Sequence, residues 1–446
     1  TAGMSRAIGA RSLLDVLTIY VPGITQVEDH NEVNVAGRGI YASSQQKFLV
    51  LLNGHRLNSR AYSMANPDFS LSLDRVDRIE VLRGPGSSLY GNVSLMGVIN
   101  IVTRSGADLD GGWVGAGAGN FGQLRLSGLY GTELGPGHDL LFWSQAYQAT
   151  GERVHVPEAY WATPQEGDVI VDGHFQPYSY DLGVIYRRAG LSILANRRRG
   201  KLIEAFSGGG AVTGQAYGYG EYRTIDGIGP GLASTSTHLA IDYERPLLGA
   251  RLTLRANAYA DFNDVDGVLV SNPATRAMSR AHWNDWDPGA IVEGNLRWQL
   301  PSLGAGNVMV GAQVDYMEVY DSILMVGQDA DAMGVMDGVS NWTAVADAPG
   351  DPQLLELGHE TIYSGFAQVR QLVGEAIILN LGARFDYKER HRGSAVSAFS
   401  PRLAAVVTPF EFLTLKLSYG ESFVDAPYWY RYNSLGSYRG SDNLQP

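Results

Sequence analysis

Alternating apolar and polar residues, repeated in segment after segment from about residue 113 to residue 419, constrain this fold more than any other feature. Over 251–261 the even positions are apolar and the odd ones mostly polar, and the pattern recurs at 292–300, 377–388 and 413–419. A period of two residues is typical of β-strands with one apolar and one wet face. We count about thirteen or fourteen such strands, joined by short reversals and by long polar stretches at 154–176, 203–231 and 321–358.

Composition narrows the class of protein. Hydrophobic residues make up 45% of the 446 positions, yet no window of about 18 uninterrupted apolar residues could form a membrane helix. Only helices and closed barrels satisfy all backbone hydrogen bonds in lipid, so a membrane role requires a closed antiparallel sheet. The net charge of −12 argues against a nucleic-acid partner, and the absence of cysteine rules out disulfides and thiolate metal sites.

The first hundred residues follow a different pattern. Two β-rich runs, 79–82 and 98–103, flank a segment rich in Gly, Pro and Ser, which predicts a strand, a tight turn, a short helix and a second strand. Upstream, residues 12–24 read as a short amphipathic helix that ends at Pro22-Gly23, and 48–57 read as a hairpin. Its turn, Asn53-Gly54, suits a conformation with positive φ at both residues.

These segments, with Val33 to Gly39 between them, occur in the order and spacing of the plug domain of TonB-dependent outer-membrane receptors, which this region closely resembles. The resemblance implies a mixed α/β plug domain, at residues 5–106, inside an antiparallel transmembrane β-barrel formed by residues 107–446. In that family the barrel has about 22 strands, so we expect further strands beyond residue 446. We also expect a preceding amino-terminal segment, because little room for an energy-coupling box remains before Arg11.

The same resemblance implies energy-coupled import across the outer membrane of a Gram-negative-type bacterium. The implied partners are a TonB-type energy-coupling protein, a scarce metal chelate such as a ferric siderophore, and outer-membrane lipid; no cofactor is implied. Haem and cobalamin are the alternative cargoes. Residues 423–427 and 441–446 resemble the boxes of haem receptors, but residues 428–440 contain no histidine between them.

Two other classes of protein fit the sequence less well. A passive porin or structural barrel would need no plug, so the match before residue 106 argues against it. A soluble β-rich binding module would need a polar outer face, where Leu252, Leu254, Ala256 and Ala258 are expected to face lipid instead. Neither class accounts for the whole chain.

The resemblance also implies two groups of site residues. Plug arginines of this family form salt bridges to glutamates of the barrel wall, which predicts a lock that involves Arg38 and Arg83, with Glu421 and Glu293 as candidate partners. An arginine fork can hold a carboxylate bidentately in a partly desolvated contact. The ligand would contact the plug apex and the Tyr-rich loop: Tyr62, Arg60, Gln45 and Ser44 at the apex, and Tyr217, Tyr219, Tyr222 and Arg223 in the loop.

Catalytic and metal motifs have little support. Gly117 to Gly122 formally match a dinucleotide-binding fingerprint, but an alternating segment follows where a helix is needed, so a glycine-rich hairpin is the better interpretation. His55, His238 and His282 are isolated and show no metal-binding spacing, so we expect them to be surface or loop residues. There is no nucleophile elbow, so we expect no enzymatic activity.

Overall fold

The structure, a computed structural model, describes most of the chain. The described residues are 2–29, 32–40, 47–63, 65, 70–161, 167–171, 173–203, 206–207, 214–218, 229–328, 343–344, 353–434, 441 and 444.

Within these residues, five helices are present. They are α1 Ala2–Ala7, α2 Leu13–Tyr20, α3 Ser87–Tyr90, α4 Gly106–Leu109 and α5 Tyr428–Tyr432. The first eleven strands are β1 Ile24–Asp29, β2 Glu32–Gly37, β3 Phe48–Leu52, β4 His55–Arg56, β5 Val76–Arg83, β6 Gly97–Thr103, β7 Gly111–Ala118, β8 Leu124–Glu133, β9 His138–Ala149, β10 Glu152–Val156 and β11 Gly167–Val171. The others are β12 His174–Arg188, β13 Leu191–Leu202, β14 Gly231–Leu247, β15 Leu252–Asn272, β16 Ala277–Leu300, β17 Gly304–Gln328, β18 Thr343–Ala344, β19 Gly358–Val373, β20 Ile377–Glu389, β21 Val396–Phe410 and β22 Leu413–Gly420.

The predicted amphipathic helix is α2, and its start is set by a capping box. The Ser12 hydroxyl accepts a hydrogen bond from the Asp15 backbone N–H, and the Asp15 carboxylate accepts one from the Ser12 backbone N–H. These reciprocal bonds satisfy amide groups that have no partner within the helix. One face of α2 is buried, including Leu13 and Leu17. The helix is thereby fixed against the rest of the plug.

The plug sheet confirms the predicted strand, helix and strand at 79–103, formed by β5, α3 and β6. Its strand order is β4-β3-β6-β5, with β3 parallel to β6 and the other pairs antiparallel. Asn53 and Gly54 turn the chain between β3 and β4 with φ values of 50° and 86°. A two-residue turn with positive φ at both positions matches the twist of its flanking strands.

The second sheet runs through the rest of the chain as an antiparallel meander. Thirteen strands follow one another in the order β22-β21-β20-β19-β17-β16-β15-β14-β13-β12-β9-β8-β7, and the two-residue β18 pairs with β17. The glycine-rich segment after Gly117 is the hairpin between β7 and β8, as predicted. Residues 321–328, predicted to start a loop, instead continue β17, because they pair with β16 as far as Gln328.

The two faces of this sheet differ as the alternation predicts. On β15 Leu254, Ala256 and Ala258 are exposed, as are Leu239 and Ile241 on the neighbouring β14. On the opposite face Arg255 forms an ion pair with Asp242. The predicted register of the strand is therefore confirmed, with its apolar residues outward. Among the described residues, no helix is long and apolar enough to cross a lipid bilayer.

The plug packs against the inward face of the large sheet. One buried hydrophobic cluster combines plug residues such as Leu17 and Ile101 with sheet residues such as Trp143 and Ile185. Polar contacts from the plug reach the inward faces of several strands, from β9 and β12 to β20. The predicted architecture, a mixed α/β plug inside an antiparallel sheet, is confirmed.

Close packing at Gly183 on β12 generates a stability prediction. A Cβ atom at this buried position would overlap the ring of Trp143, which is fully buried. We expect Gly183→Val to lower the free energy of unfolding by about 1–3 kcal/mol, the usual cost of overpacking, measured by denaturant unfolding. Gly365→Val is the matched control, because a Cβ there meets no atom within 4 Å. Equal stability of the two variants would contradict the packing described.

Candidate functional site

The plug loop that follows β4 is shaped by one buried side chain, Asn58. Its carbonyl oxygen accepts a hydrogen bond from the Val50 backbone N–H at 2.8 Å, and its amide donates to the carbonyls of Phe48 and Ser63. These bonds join the start and the end of the loop to β3. Asn58 therefore positions the residues between them, Arg60 and Tyr62 included.

Arg60 contacts the sheet rather than solvent. Its guanidinium donates to Asp315 at 2.7 Å and to the Tyr259 hydroxyl at 3.1 Å, and its backbone N–H donates to Asp287 at 2.8 Å. Burial alone lowers the pKa of Arg60, but the Asp315 carboxylate and Tyr259 outweigh it and hold the pKa above its usual value. The sequence predicts that Arg60 attracts an anionic chelate. In the structure the charge of Arg60 is already compensated by carboxylates of the sheet.

For Arg56, next to this cluster, the nearby carboxylates do not offset the effects that lower its pKa. Burial, followed by the charge of Arg60, lowers the pKa of Arg56 to about 10. Arg56 and Arg60 both line a cavity of about 100 Å³ between the plug and strands β15 to β21. The cavity thus brings these two cations together with apolar side chains at the interface of plug and sheet.

Tyr62 lies in an aromatic cluster. Its ring centroid is 5.8 Å from that of Trp283 on β16 and 5.1 Å from that of Trp429 on α5, and the two indoles are also 5.1 Å apart. The Trp429 backbone N–H donates to the Ala61 carbonyl at 3.0 Å. Tyr62 is half-buried, so part of its ring is accessible to a ligand. The cluster joins the plug loop to the segment after β22.

A charged cluster holds that segment in place. The Asp425 carboxylate pairs with Lys388 at 2.7 Å and Arg390 at 2.6 Å, and Glu360 pairs with Lys388 and with Arg431 on α5, each at 2.7 Å. These contacts satisfy carboxylates that are almost fully buried.

A second ionic contact between plug and sheet lies at Arg75. Its guanidinium is 3.2 Å from the Asp181 carboxylate on β12, and neither side chain is exposed. The same carboxylate accepts hydrogen bonds from the Ser72 backbone N–H, the Trp143 indole and the Asn196 amide. Burial lowers the pKa of Arg75 by more than Asp181 raises it. Two of the guanidinium nitrogens, Nε and Nη2, have no hydrogen-bond partner among the described residues.

The predicted lock residues are not brought together. Arg38 and Arg83 are exposed, and within the described parts of the chain neither forms an ion pair with a glutamate. Glu293 pairs with Arg255 of the adjacent strand at 3.6 Å, and Glu421 accepts a hydrogen bond from the Tyr419 hydroxyl. The ion pairs that join plug to sheet among the described residues instead include Arg60 with Asp315, Arg75 with Asp181 and Arg125 of β8 with Asp74, none of which sequence reasoning selected for this role.

The remaining predicted ligand residues are only partly placed. Ser44, Gln45, Tyr219, Tyr222 and Arg223 lie outside the described residues. Tyr217 is buried, and its neighbour Ala216 belongs to a small apolar cluster with Val156 and Val169 of the β10–β11 hairpin. Their roles stay predictions.

The interpretation of the histidines as surface residues is wrong for two of them. His55 and His238 are buried, and both contact Asp261. His282 is half-buried and lies 3.5 Å from Asp321. The isolation of these histidines in sequence gave no signal of this, because strand pairing brings His238 and Asp261 together across 23 positions.

Comparison with known proteins identifies the class. Residues 2–98 match the family model described as TonB-dependent Receptor Plug Domain, and residues 162–446 match the one described as TonB dependent receptor-like, beta-barrel. The second match alone spans more than half of the chain. The chain belongs to the TonB-dependent receptors, a family of receptors and transporters rather than enzymes.

Curated relatives include vitamin B12 transporters. The chain is 36% identical to that of Vibrio vulnificus over 118 residues, which are 26% of this chain and 19% of the relative. It is 34% identical to that of Vibrio cholerae over 126 residues, 28% of this chain and 20% of the relative. The matched region thus spans about a fifth of these relatives.

Solved structures share the fold at low identity. The unliganded ferric citrate transporter FecA superposes with a TM-score of 0.68 at 15% identity, covering 93% of this chain and 61% of that one. The ferric yersiniabactin uptake receptor FyuA of Yersinia pestis gives a TM-score of 0.61 at 13% identity, with coverage of 92% and 62%. The chain therefore spans about three fifths of these proteins.

The buried Arg75 contact can be tested by substitution. We expect Arg75→Met to lower the free energy of unfolding by about 3–5 kcal/mol, because it leaves the Asp181 charge buried without a cation. Denaturant unfolding measures the loss. Arg78→Met is the control, since the ion pairs of Arg78 with Asp77 and Glu80 are half-exposed and should contribute little. A loss for Arg75→Met no larger than for the control would refute the role assigned to Arg75.

The Asp425 cluster predicts acid sensitivity outside the strands. Burial alone raises the pKa of Asp425, but Lys388 and Arg431 outweigh it and hold the pKa below its ordinary value. Asp425 therefore stabilises the folded state above the unfolded pKa of about 3.9, and this stabilisation is lost as the pH falls through the lower folded pKa.

We expect an acid titration of tryptophan fluorescence, with Trp429 on α5 as the local reporter, to show α5 detaching below about pH 4. Asp425→Asn should remove this transition, whereas the exposed Asp77→Asn should leave it unchanged. An unaltered acid transition in Asp425→Asn would assign it to other groups.

Proposed function

We propose that the protein is an outer-membrane uptake receptor, which binds a metal chelate at the plug apex and imports it when a TonB-type partner moves the plug. The observation that carries this proposal is the set of buried ionic contacts between plug and sheet, at Arg75 with Asp181 and at Arg60 with Asp315. They hold a separate α/β unit against the inward face of the sheet. Family membership supports the same interpretation.

The energetics of these contacts favour an energy-coupled mechanism. A shift of the plug that keeps these charges buried but separates the pairs would leave each charge uncompensated, and a buried charge without its partner costs about 3–5 kcal/mol. Spontaneous displacement of the plug is therefore disfavoured. The outer membrane is leaky and holds no ion gradient, so the work must come through contact with another protein. A passive porin needs neither the plug nor these contacts.

The aromatic cluster of Tyr62, Trp283 and Trp429 is the proposed contact for the chelate. Rigid rings contribute contact area at low entropic cost, and the tyrosine hydroxyl adds a hydrogen bond. The cluster lies beside α5 and packs with Leu354 and Leu355, at the end of the long connection from β17 to β19.

A ferric siderophore is the first proposed cargo, and cobalamin is the second. The vitamin B12 transporters of Vibrio vulnificus and Vibrio cholerae, at 36% and 34% identity over short regions, specifically favour cobalamin. Both cargoes are metal chelates too large for free diffusion through a narrow passage. Haem remains an alternative from the sequence, with no structural observation in its favour.

Binding titrations distinguish these cargoes. The purified protein is titrated with ferric citrate, a ferric catecholate, a ferric hydroxamate, cyanocobalamin and haemin, and quenching of tryptophan fluorescence is followed. Saturable binding of one ferric chelate supports the first cargo, and saturable binding of cyanocobalamin alone supports the second. No saturable binding of any chelate, or uptake that persists in cells without the TonB-type partner, would contradict the proposal.

Substitution of Tyr62 tests the binding site itself. We expect Tyr62→Ala to weaken binding of the transported chelate by about 1–3 kcal/mol, the range for a good interface anchor. Tyr20→Ala is the control, because Tyr20 is exposed on α2 and its hydroxyl donates to the Met4 carbonyl at 3.0 Å. An affinity for every chelate within about twofold of the unsubstituted protein, below that range, would place the site elsewhere.

A further inference from the structure

Two histidines and an aspartate from three separate segments meet where the plug touches the sheet. His55 belongs to β4 of the plug, whereas His238 on β14 and Asp261 on β15 are direct cross-strand partners. All three residues are buried, with exposures of 7%, 1% and 7%. One nitrogen from each imidazole and one carboxylate oxygen lie within 4.8 Å of one another.

Both imidazoles point at the same carboxylate oxygen. The Asp261 Oδ1 atom is 2.8 Å from His55 Nε2 and 2.9 Å from His238 Nδ1. The other ring nitrogen of His238, Nε2, is buried and has no hydrogen-bond partner among the described residues. A buried polar atom without a partner is costly. Hydrogen bonding within the cluster therefore leaves it incompletely satisfied.

The surroundings are rich in buried carboxyl groups. Asp287 lies directly across from Asp261 in the strand register, and Asp285 lies two residues before Asp287. Each has one buried carboxyl oxygen with no hydrogen-bond partner among the described residues. Buried acidic groups are normally paired or coordinate a metal ion.

We propose that His55, His238 and Asp261 form a binding site for a divalent transition-metal ion of the Zn²⁺ class, shared between the plug and the barrel wall. Two imidazole nitrogens and one carboxylate oxygen are donors that Zn²⁺ and similar ions prefer, at about 2.0–2.2 Å from the metal. Each imidazole would bind the ion through the nitrogen that now faces Asp261 and would carry its proton on the other ring nitrogen. Only small side-chain rotations are needed to open the two short contacts to the spacing of ligands around one ion.

The site also has room for a further ligand. His55 lines the cavity of about 100 Å³ between plug and sheet. A water molecule needs only about 10–15 Å³ of such volume. Three protein ligands with one open position form a common arrangement for zinc. The cavity thus provides space for a fourth ligand beside His55.

Because the ligands come from both the plug and the sheet, a bound ion would hold the two together. One ligand comes from the plug and two come from the wall, so a bound ion would tie β4 to β14 and β15. The proposal is independent of the cargo, because it concerns a bare ion and not a chelate. It adds a metal-dependent contact to the ionic ones at Arg60 and Arg75.

Metal titration of the protein tests the site. The full chain is purified in detergent, stripped with a chelator and titrated with Zn²⁺ and with Co²⁺, with no siderophore or corrinoid present. We expect one equivalent of either ion to bind and Co²⁺ to develop visible ligand-field absorption. His55→Gln and His238→Gln should each weaken binding by about 100-fold or more, since even residues that only support metal ligands change affinity by 10–100-fold.

His282→Gln is the matched control, because His282 is a neighbouring sheet histidine paired with Asp321 rather than with the cluster. Its affinity should equal that of the unsubstituted protein. Absence of stoichiometric binding, or binding equally weakened in His282→Gln, would overturn the proposal.

A second measurement needs no variant and therefore does not depend on variant folding. X-ray absorption at the zinc edge of the unsubstituted, Zn²⁺-loaded protein should show two imidazoles and oxygen ligands. Hydrogen exchange of residues 53–57 should slow on Zn²⁺ addition, as expected if the ion ties β4 to the wall. Fewer than two imidazoles around the ion, or unchanged exchange at 53–57, would refute the shared site.

Discussion

Ionic contacts buried between the plug and the inward face of the sheet determine how the rest of this structure is arranged. Arg75 with Asp181, and Arg60 with Asp315, remove charges from water on both sides of one interface. Such pairs add little net stability compared with apolar packing, but a displaced plug would leave each charge unpaired. One placement of the plug is therefore strongly preferred over its neighbours. The hydrophobic cluster shared by α2 and the sheet supplies the less specific part of the attraction.

The large sheet can offer these charges because it is built with a period of two. Residues at alternate positions of β15 and β16 face inward, which places Asp261 beside His238 and opposite Asp287. The same period turns Leu254 and Ile241 outward, toward the apolar surroundings that a membrane barrel requires. A polar inner face suits a passage that must open, because a polar interface is rehydrated at lower cost than an apolar one. The acidic composition of the chain is thus partly a property of its inner wall.

The plug loop after β4 connects the proposed ligand contact with the ionic contacts. Asn58 holds both ends of the loop, Arg60 binds the wall, and Tyr62 packs on Trp283 and Trp429 within two residues of Arg60. On the other side of the same region, the Asp425 backbone N–H donates to the Asn92 side chain of the plug at 3.0 Å. A ligand that displaces Tyr62 would therefore act on a short segment that is anchored to the wall. In the function proposed above, the ligand contact at Tyr62 and the plug attachment at Arg60 are thus two residues apart in one loop.

Local patterns in the sequence predicted many of the elements, although the β10–β11 hairpin lies largely in the stretch 154–176 that was predicted as a loop. The capping residues of α2, the Asn53-Gly54 turn and the alternation along β15 each depend on residues within a few positions of one another. The partners in the interface could not be predicted in this way. Arg75 and Asp181 are 106 positions apart, His55 and Asp261 are 206 apart, and Arg60 and Asp315 are 255 apart. Strand order and register bring such residues together. The alternation that predicts the strands places many charged residues on the inward face, and nothing in the sequence distinguishes which of them will form pairs. The sequence by itself therefore determined a plug and an antiparallel sheet with one apolar outer face, while only the tertiary structure decided which charges meet, because burial of a charge depends on what packs over it.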